Sequence, residues 1–363
     1  MDNPFYTVHL DATVLPQIRE ICVDRQDELA LCKTALIDRR HNVLLYGTRG
    51  VGKTFLLRLL EDEIRKGEET VYPCFVNIAS LPAYGGEDEV ASFPRAVLLQ
   101  FCTSLWRELL GRSYLELRDR LDETGKELHF RKKAEVTVQR VYTQLMVMEV
   151  SVHAAVFDTV GFSAGVKGEK RQEVSRQSRH SPILPFEFAE FAQELVANVL
   201  MAHGKKRVVF LCDEANQMPI FRQEQILERY LELFSSKEIQ FLFVAGLVPW
   251  DKKSYLPSCF ETRLELKGFP DKRHVRELIE ASLARAEGAA LPFSTEAVDA
   301  VCEAYGGHPR YTLEACALAY WHAQEGNADE VTASAVLKAC REIDAQRKRL
   351  EDQMREDMSV AEC

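Results

Sequence analysis

The sequence predicts an α/β fold: a parallel sheet built around a glycine-rich loop, an insertion containing a β-hairpin, and an all-α domain at the C-terminal side. Three observations predict it. Short apolar runs of strand length alternate with helical patterns up to residue 270, as βα units do. The stretch Gly47-Thr48-Arg49-Gly50-Val51-Gly52-Lys53-Thr54 lies between one such run and a helical pattern, and fits G-x-x-x-x-G-K-[ST]. From Asp271 onward the pattern is helical alone, broken at Pro292, Gly306-Gly307 and Gly326-Asn327. The expected organisation is an α/β domain over 1–270 with an insertion at 111–185, a helical domain over 271–350 and a flexible tail over 351–363.

Composition narrows the class. The 363 residues are 46% hydrophobic and 28% charged, ordinary for a soluble globular chain. The formal net charge of −10 excludes a surface that grips nucleic acid everywhere, so any such contact is a local patch. Ten cysteines are scattered without C-x-x-C or zinc-like spacing, which points to reduced thiols, many in the core. Met1-Asp2-Asn3-Pro4 is not a signal peptide, and the apolar run Phe241–Trp250 is far short of the roughly 20 residues of a membrane helix. A cytoplasmic protein without a membrane partner is expected.

The elements follow in order. Asp24 is placed to cap a helix reaching Arg40, with Asp27 and Glu28 in its first turn. Asn42–Tyr46 reads as a buried strand, and Phe55–Lys66 as a helix stopped by Gly67. Thr70–Ile78 is a second strand. A helix over 94–110 is expected with Pro94 in its first turn. Ser113–Arg131 reads as a mixed-charge helix. Alternating apolar positions from Met146 to Val156, then from Phe162 to Val166, read as a hairpin. The stretch 167–180 is basic: either a solvated loop or a contact for nucleic acid or an acidic partner. A helix over 185–202 precedes Arg207–Glu214, a continuous apolar strand that ends in two carboxylates. A helix over 220–235 and strands at Ile239–Leu247 and near Arg263–Leu266 follow. Helices are then expected at 271–287, 294–305, 309–325 and 332–350.

Strand, glycine loop and helix give the loop its chemistry. Glycines let backbone N–H groups face a polyphosphate, and the helix start adds partial positive charge. Lys53 is placed for the β- and γ-phosphates, and the Thr54 hydroxyl for Mg2+. ATP and Mg2+ are therefore the expected cofactors. Asp213 and Glu214 end a central strand at the edge where open α/β sheets bind ligands.

These landmarks together resemble the AAA+ ATPases, nearest to the origin-recognition and transposition-regulator branch, with STAND signalling ATPases sharing many marks. The resemblance covers the chain outside 111–185. Cys22-Val23-Asp24-Arg25-Gln26-Asp27-Glu28-Leu29 looks like the hGREpEL opening of those families, which implies that the backbone at Val23 lies near the adenine. Asn77 matches the polar switch that restrains the catalytic carboxylate. Asp213 and Glu214 match Walker B, implying a magnesium carboxylate and a water-activating glutamate. Tyr305-Gly306-Gly307-His308-Pro309-Arg310 resembles the GG-x-PR sensor 2 motif, which implies that Arg310 meets the γ-phosphate. Sensor 1 departs from the pattern: Phe243-Val244-Ala245-Gly246-Leu247 offers no Asn, Ser or Thr. Arg263 is the candidate for an arginine finger acting on a neighbouring copy, with Arg222 and Arg229 as weaker ones.

Three functions follow from that resemblance. One is an ATP-hydrolysing oligomeric switch that associates with DNA through 167–180 and recruits a partner protein. Another is a STAND-like signalling or defence ATPase gating a separate effector protein. The third is a nucleotide-binding scaffold with little hydrolysis.

Overall fold

The computed structural model describes residues 25–78, 89–111, 133–147, 183–213, 220–235, 239–247, 256–284, 291–305 and 307–361. Packing groups the chain into two compact units. One takes the N-terminal segment through Leu31, Tyr46–Leu59 and Glu265 onward; the other takes Cys32–Leu45 and Leu60–Leu264.

The sheet has five parallel strands: β1 (Val43–Tyr46), β2 (Val71–Asn77), β3 (Arg207–Asp213), β4 (Gln240–Ala245) and β5 (Thr262–Glu265), in the order β2-β3-β4-β1-β5. β3 and β4 are buried along nearly their whole length, as strands covered on both faces must be. Their facing residues Phe210 and Phe241 stack at 5.3 Å between ring centroids. Phe234 meets Phe241 edge-on at 5.1 Å. Each such pair adds about 0.5–1.5 kcal/mol beyond area burial. Asn42, 3% exposed, satisfies the buried backbone here: its Oδ1 accepts from Phe241 N–H at 2.7 Å and its Nδ2 donates to Phe234 O and to Cys259 O.

Among the described strands β2 lies at an edge; it contains Pro73, paired in register with Val209. A proline fits at an edge because its missing N–H is not needed by a neighbour.

The helices that precede β5 are as follows. α1 (Gln26–Lys33) passes into a π-helical turn at Thr34–Asp38. α2 is Lys53–Gly67, α3 is Glu89–Glu108, α4 is Lys133–Val147 and α5 is Pro185–Leu195. α6 is Ile220–Arg229, α7 is Leu231–Phe234 and α8 is Leu256–Cys259. Three of them correct the expectations. Pro94 lies inside α3, not in its first turn. Burying Val90 and Phe93, the latter at 0% exposure against Tyr230, Phe234 and Phe243, outweighs the N–H that Pro94 removes. The helix expected over 220–235 breaks at Tyr230, whose ring packs on Phe93 while its hydroxyl donates to Ala91 O at 3.2 Å. Met146, read as the start of a strand, ends a helix instead; Val138, Val141, Tyr142 and Leu145 give α4 a buried 3.6-residue stripe. The rest of the hairpin, the helix at 113–131 and the basic stretch 167–180 lie outside the described residues.

The unit that takes Glu265 onward contains α9 (Lys272–Ala284), α10 (Thr295–Tyr305), α11 (Pro309–Glu325) and α12 (Ala333–Ala361). Its core takes Val275, Leu278 and Ile279 from α9, Val298 and Val301 from α10, and Val336, Ala339 and Ile343 from α12. Ala315, Cys316, Ala319 and Ala323 on α11 are small, which permits close helix approach. α12 does not stop at 350 but continues to Ala361, because that span holds neither glycine nor proline and is rich in strong helix formers. Eight cysteines fall among the described residues; all are buried and none is in a disulfide. Among the described residues no helix is long and apolar enough to cross a membrane.

Candidate functional site

Between β1 and α2 the chain turns through Gly47–Gly52, and Lys53 and Thr54 form the first turn of α2. Gly50 (φ 84°) and Gly52 (φ 103°) take left-handed conformations that an L side chain resists. The three glycines nevertheless serve different ends. A Cβ at Gly47 would lie 2.4 Å from Leu266 O, and one at Gly50 would lie 2.6 Å from Arg310 Cδ. A Cβ at Gly52 would meet nothing within 4 Å. Two glycines thus admit close neighbours, while the third faces the open space that a phosphate chain needs. Lys53 is 5% exposed, and its ammonium donates to Gly47 O and Thr48 O, both at 2.8 Å. Carbonyl acceptors offset the cost of burying that charge and set the ammonium across the loop. A loop so built fits an anionic polyphosphate.

The segment at the start of α11 packs on this loop. Arg310 N–H donates to Gly50 O at 3.3 Å, and its aliphatic stem covers the Gly50 backbone. His308 Nε2 is 3.3 Å from Thr48 Oγ1. His308 also stacks on Tyr311 at 4.1 Å, with ring planes 18° apart. Burial pushes the His308 imidazole below its ordinary value, so it stays neutral at pH 7. Gly307 (φ 74°) accepts the Phe269 N–H at 2.9 Å and comes so close to Phe269 O that no side chain fits.

Arg25 supplies a further brace. Only 4% exposed, it donates to Val51 O at 3.3 Å and to Lys267 O at 2.7 Å, pairs with Glu28 at 2.9 Å and lies over the Phe269 ring at 5.0 Å. The motif containing Arg25 is visible in the sequence; its bond to Lys267, 242 positions away, is not.

In the sheet unit, Asn77 and Asp213 end β2 and β3 and are partners in register. Asp213 is 1% exposed, and its carbonyl accepts from Ile78 N–H at 2.9 Å. Two glutamines that the sequence reading passed over hold the strand ends. Gln100 of α3 pairs its amide with both backbone groups of Asn77, each bond 3.0 Å. Gln223 of α6, 1% exposed, accepts from Gly246 N–H at 3.2 Å. It places a polar amide beside the end of β4, where the strand itself presents only apolar side chains.

The remaining sequence candidates are scattered. Thr48 and Arg49 are exposed on the loop, Val51 is buried beneath it and Thr54 is half-buried. Arg263 lies within β5 and is exposed; Arg229 is exposed and Arg222 half-buried on α6. Val23 and Glu214 fall outside the described residues.

No protein-family model and no curated protein sequence matches the chain. Solved structures are similar at low identity. The ORC1 protein of Aeropyrum pernix in complex with DNA is 15% identical, with 90% of this chain and 67% of that one covered and a TM-score of 0.47. The ADP form of the Aeropyrum pernix ORC2 protein is 16% identical, with 93% and 72% covered and a TM-score of 0.46. The Thermotoga maritima RuvB Holliday junction branch migration motor is 14% identical, with 87% and 67% covered and a TM-score of 0.40. The structure itself shows an α/β fold: a five-stranded parallel sheet, the Gly47–Thr54 loop between β1 and α2, and helices α9 to α12 after β5.

Proposed function

We propose that the chain binds ATP with Mg2+ at Gly47–Thr54 and hydrolyses it, acting as an oligomeric switch that associates with DNA and recruits a partner protein. One observation supports this above the others: the loop keeps Gly52 open and buries Lys53 across Gly47 O and Thr48 O. Backbone N–H groups and the start of α2 then meet the phosphates, while Lys53 adds a full positive charge. Thr54 and Asp213 are the proposed magnesium ligands. The metal, when bound, neutralises phosphate oxygens during transfer.

Glu214 orients and deprotonates the attacking water, and Asn77, fixed by Gln100, restrains that carboxylate. Arg310 answers the γ-phosphate. Val23 is the proposed backbone contact to the base. Arg263, exposed on β5, acts on the nucleotide of a neighbouring copy, so turnover rises with assembly. The basic stretch 167–180 is the proposed DNA contact, whose affinity falls steeply with salt.

Titration calorimetry tests the core of the reading. Lys53→Ala is expected to weaken ATP binding by roughly 100-fold or more, since it removes a charge-assisted partner from a buried site. Glu214→Gln is expected to bind ATP as the wild type does and to stop turnover. Equal ATP affinity in wild type and Lys53→Ala overturns the site.

A further inference from the structure

We propose that Glu314 tunes the choice between nucleoside triphosphate and diphosphate by engaging the Arg310 guanidinium beside the Gly47–Thr54 loop. The proposal rests on the reading of Gly47–Thr54 as a nucleotide site, and adds a residue that opposes triphosphate binding.

Arg310 is divided between two tasks. Its backbone N–H and aliphatic stem sit on Gly50, at the heart of the loop. Its charged head turns to α11 instead: Nε donates to Glu314 Oε1 at 2.8 Å, one helical turn away. The other oxygen, Glu314 Oε2, lies 3.5 Å from Arg347 Nη2 of α12. Arg347 is itself seated on Tyr311, 3.6 Å from the ring centroid, and Tyr311 stacks on the His308 that touches Thr48. One carboxylate therefore holds two arginines, and only Arg310 also touches the loop.

The magnitudes suit an exchange. The Arg310 and Glu314 side chains are 44% and 35% exposed, and exposed pairs contribute only about 0.2–1 kcal/mol. A γ-phosphate brings extra negative charge and can outbid such a pair; a diphosphate lacks the group that would. When Arg310 leaves, Arg347 stays beside Glu314, so the carboxylate is not stranded. The Arg310–Glu314 pair is thus a cost met only by the triphosphate, and its removal should favour the triphosphate alone.

Calorimetry on the full chain at low ionic strength, with a slowly hydrolysed ATP analogue and with ADP, tests this. Glu314→Gln is expected to tighten analogue binding by about three- to fivefold, the worth of an exposed ion pair, and to leave ADP binding unchanged. In an Arg310→Ala background the same change should have no effect on either nucleotide. Unchanged analogue binding in Glu314→Gln, an equal shift for both nucleotides, or persistence of the effect without Arg310 overturns the role of Glu314. A wild-type chain that binds neither nucleotide instead overturns the nucleotide site itself, and this proposal with it.

Discussion

The phosphate loop and the carboxyl-end tips of the sheet are stabilised in opposite ways. The loop is set by its own backbone: glycines with positive φ, and Lys53 bonded to carbonyls five and six positions earlier. The tips of β2 and β4 are set by side-chain amides from helices 23 residues away in sequence, Gln100 on Asn77 and Gln223 on Gly246. A local device leaves a motif that can be read; a device made of two distant residues does not. The loop also differs within itself, since Gly47 and Gly50 yield space to neighbours and Gly52 keeps space open.

The widest expected effect sharpens that last contrast. Gly50→Ala drives a Cβ to 2.6 Å from Arg310 Cδ in a left-handed residue, and should cost about 2–4 kcal/mol of stability in urea unfolding. Gly52→Ala bears only the left-handed strain, about 1–2 kcal/mol, yet should lose nucleotide affinity by filling the cradle. Equal destabilisation by the two substitutions would erase the distinction.

The comparison between loop and tips is broken by exchanging the glutamines. Gln100→Leu removes both bonds to Asn77 and should cost about 1–2 kcal/mol; Gln223→Leu removes the bond to Gly246. Both are expected to lower kcat while nucleotide affinity stays within about twofold, because the bonds they remove hold strand ends. Gln223→Glu retains the acceptor for Gly246 N–H but not the amide donor. Full turnover in Gln223→Glu would confine Gln223 to holding the strand end.

The smallest effect concerns pH. His308 in the folded chain binds its proton less readily than in the unfolded chain, whose value is near 6.5. The unfolded state therefore takes up more protons as pH falls below 6.5, so folding stability is complete above 6.5 and declines from there towards the lower folded value. His308→Gln should flatten this part of the melting-temperature profile between pH 7 and 5. An unchanged slope would assign the titration to another group.

The α/β core, its loop and the C-terminal helices were legible because each element declares itself over a few residues. Val208–Cys212 is apolar throughout, and Pro309 sits at the first position of α11, where proline is favoured. The misreadings arise where tertiary contact overrides local preference. Pro94 marks a helix start by propensity, but buried Phe93 carries the helix through it. Tyr230 looks helical, yet its contacts with α3 break the helix. Within the site, Arg25 and His308 owe their position to Lys267 and Thr48, which no local pattern connects to them.

The Gln100 clasp has a consequence outside any chemistry. β2 borders the sheet, and a bare border is a template on which a second strand can grow. Pro73 withholds an amide from that border, and Gln100 occupies both hydrogen-bonding groups of Asn77 near its end. Both features weaken that border as a template for an added strand.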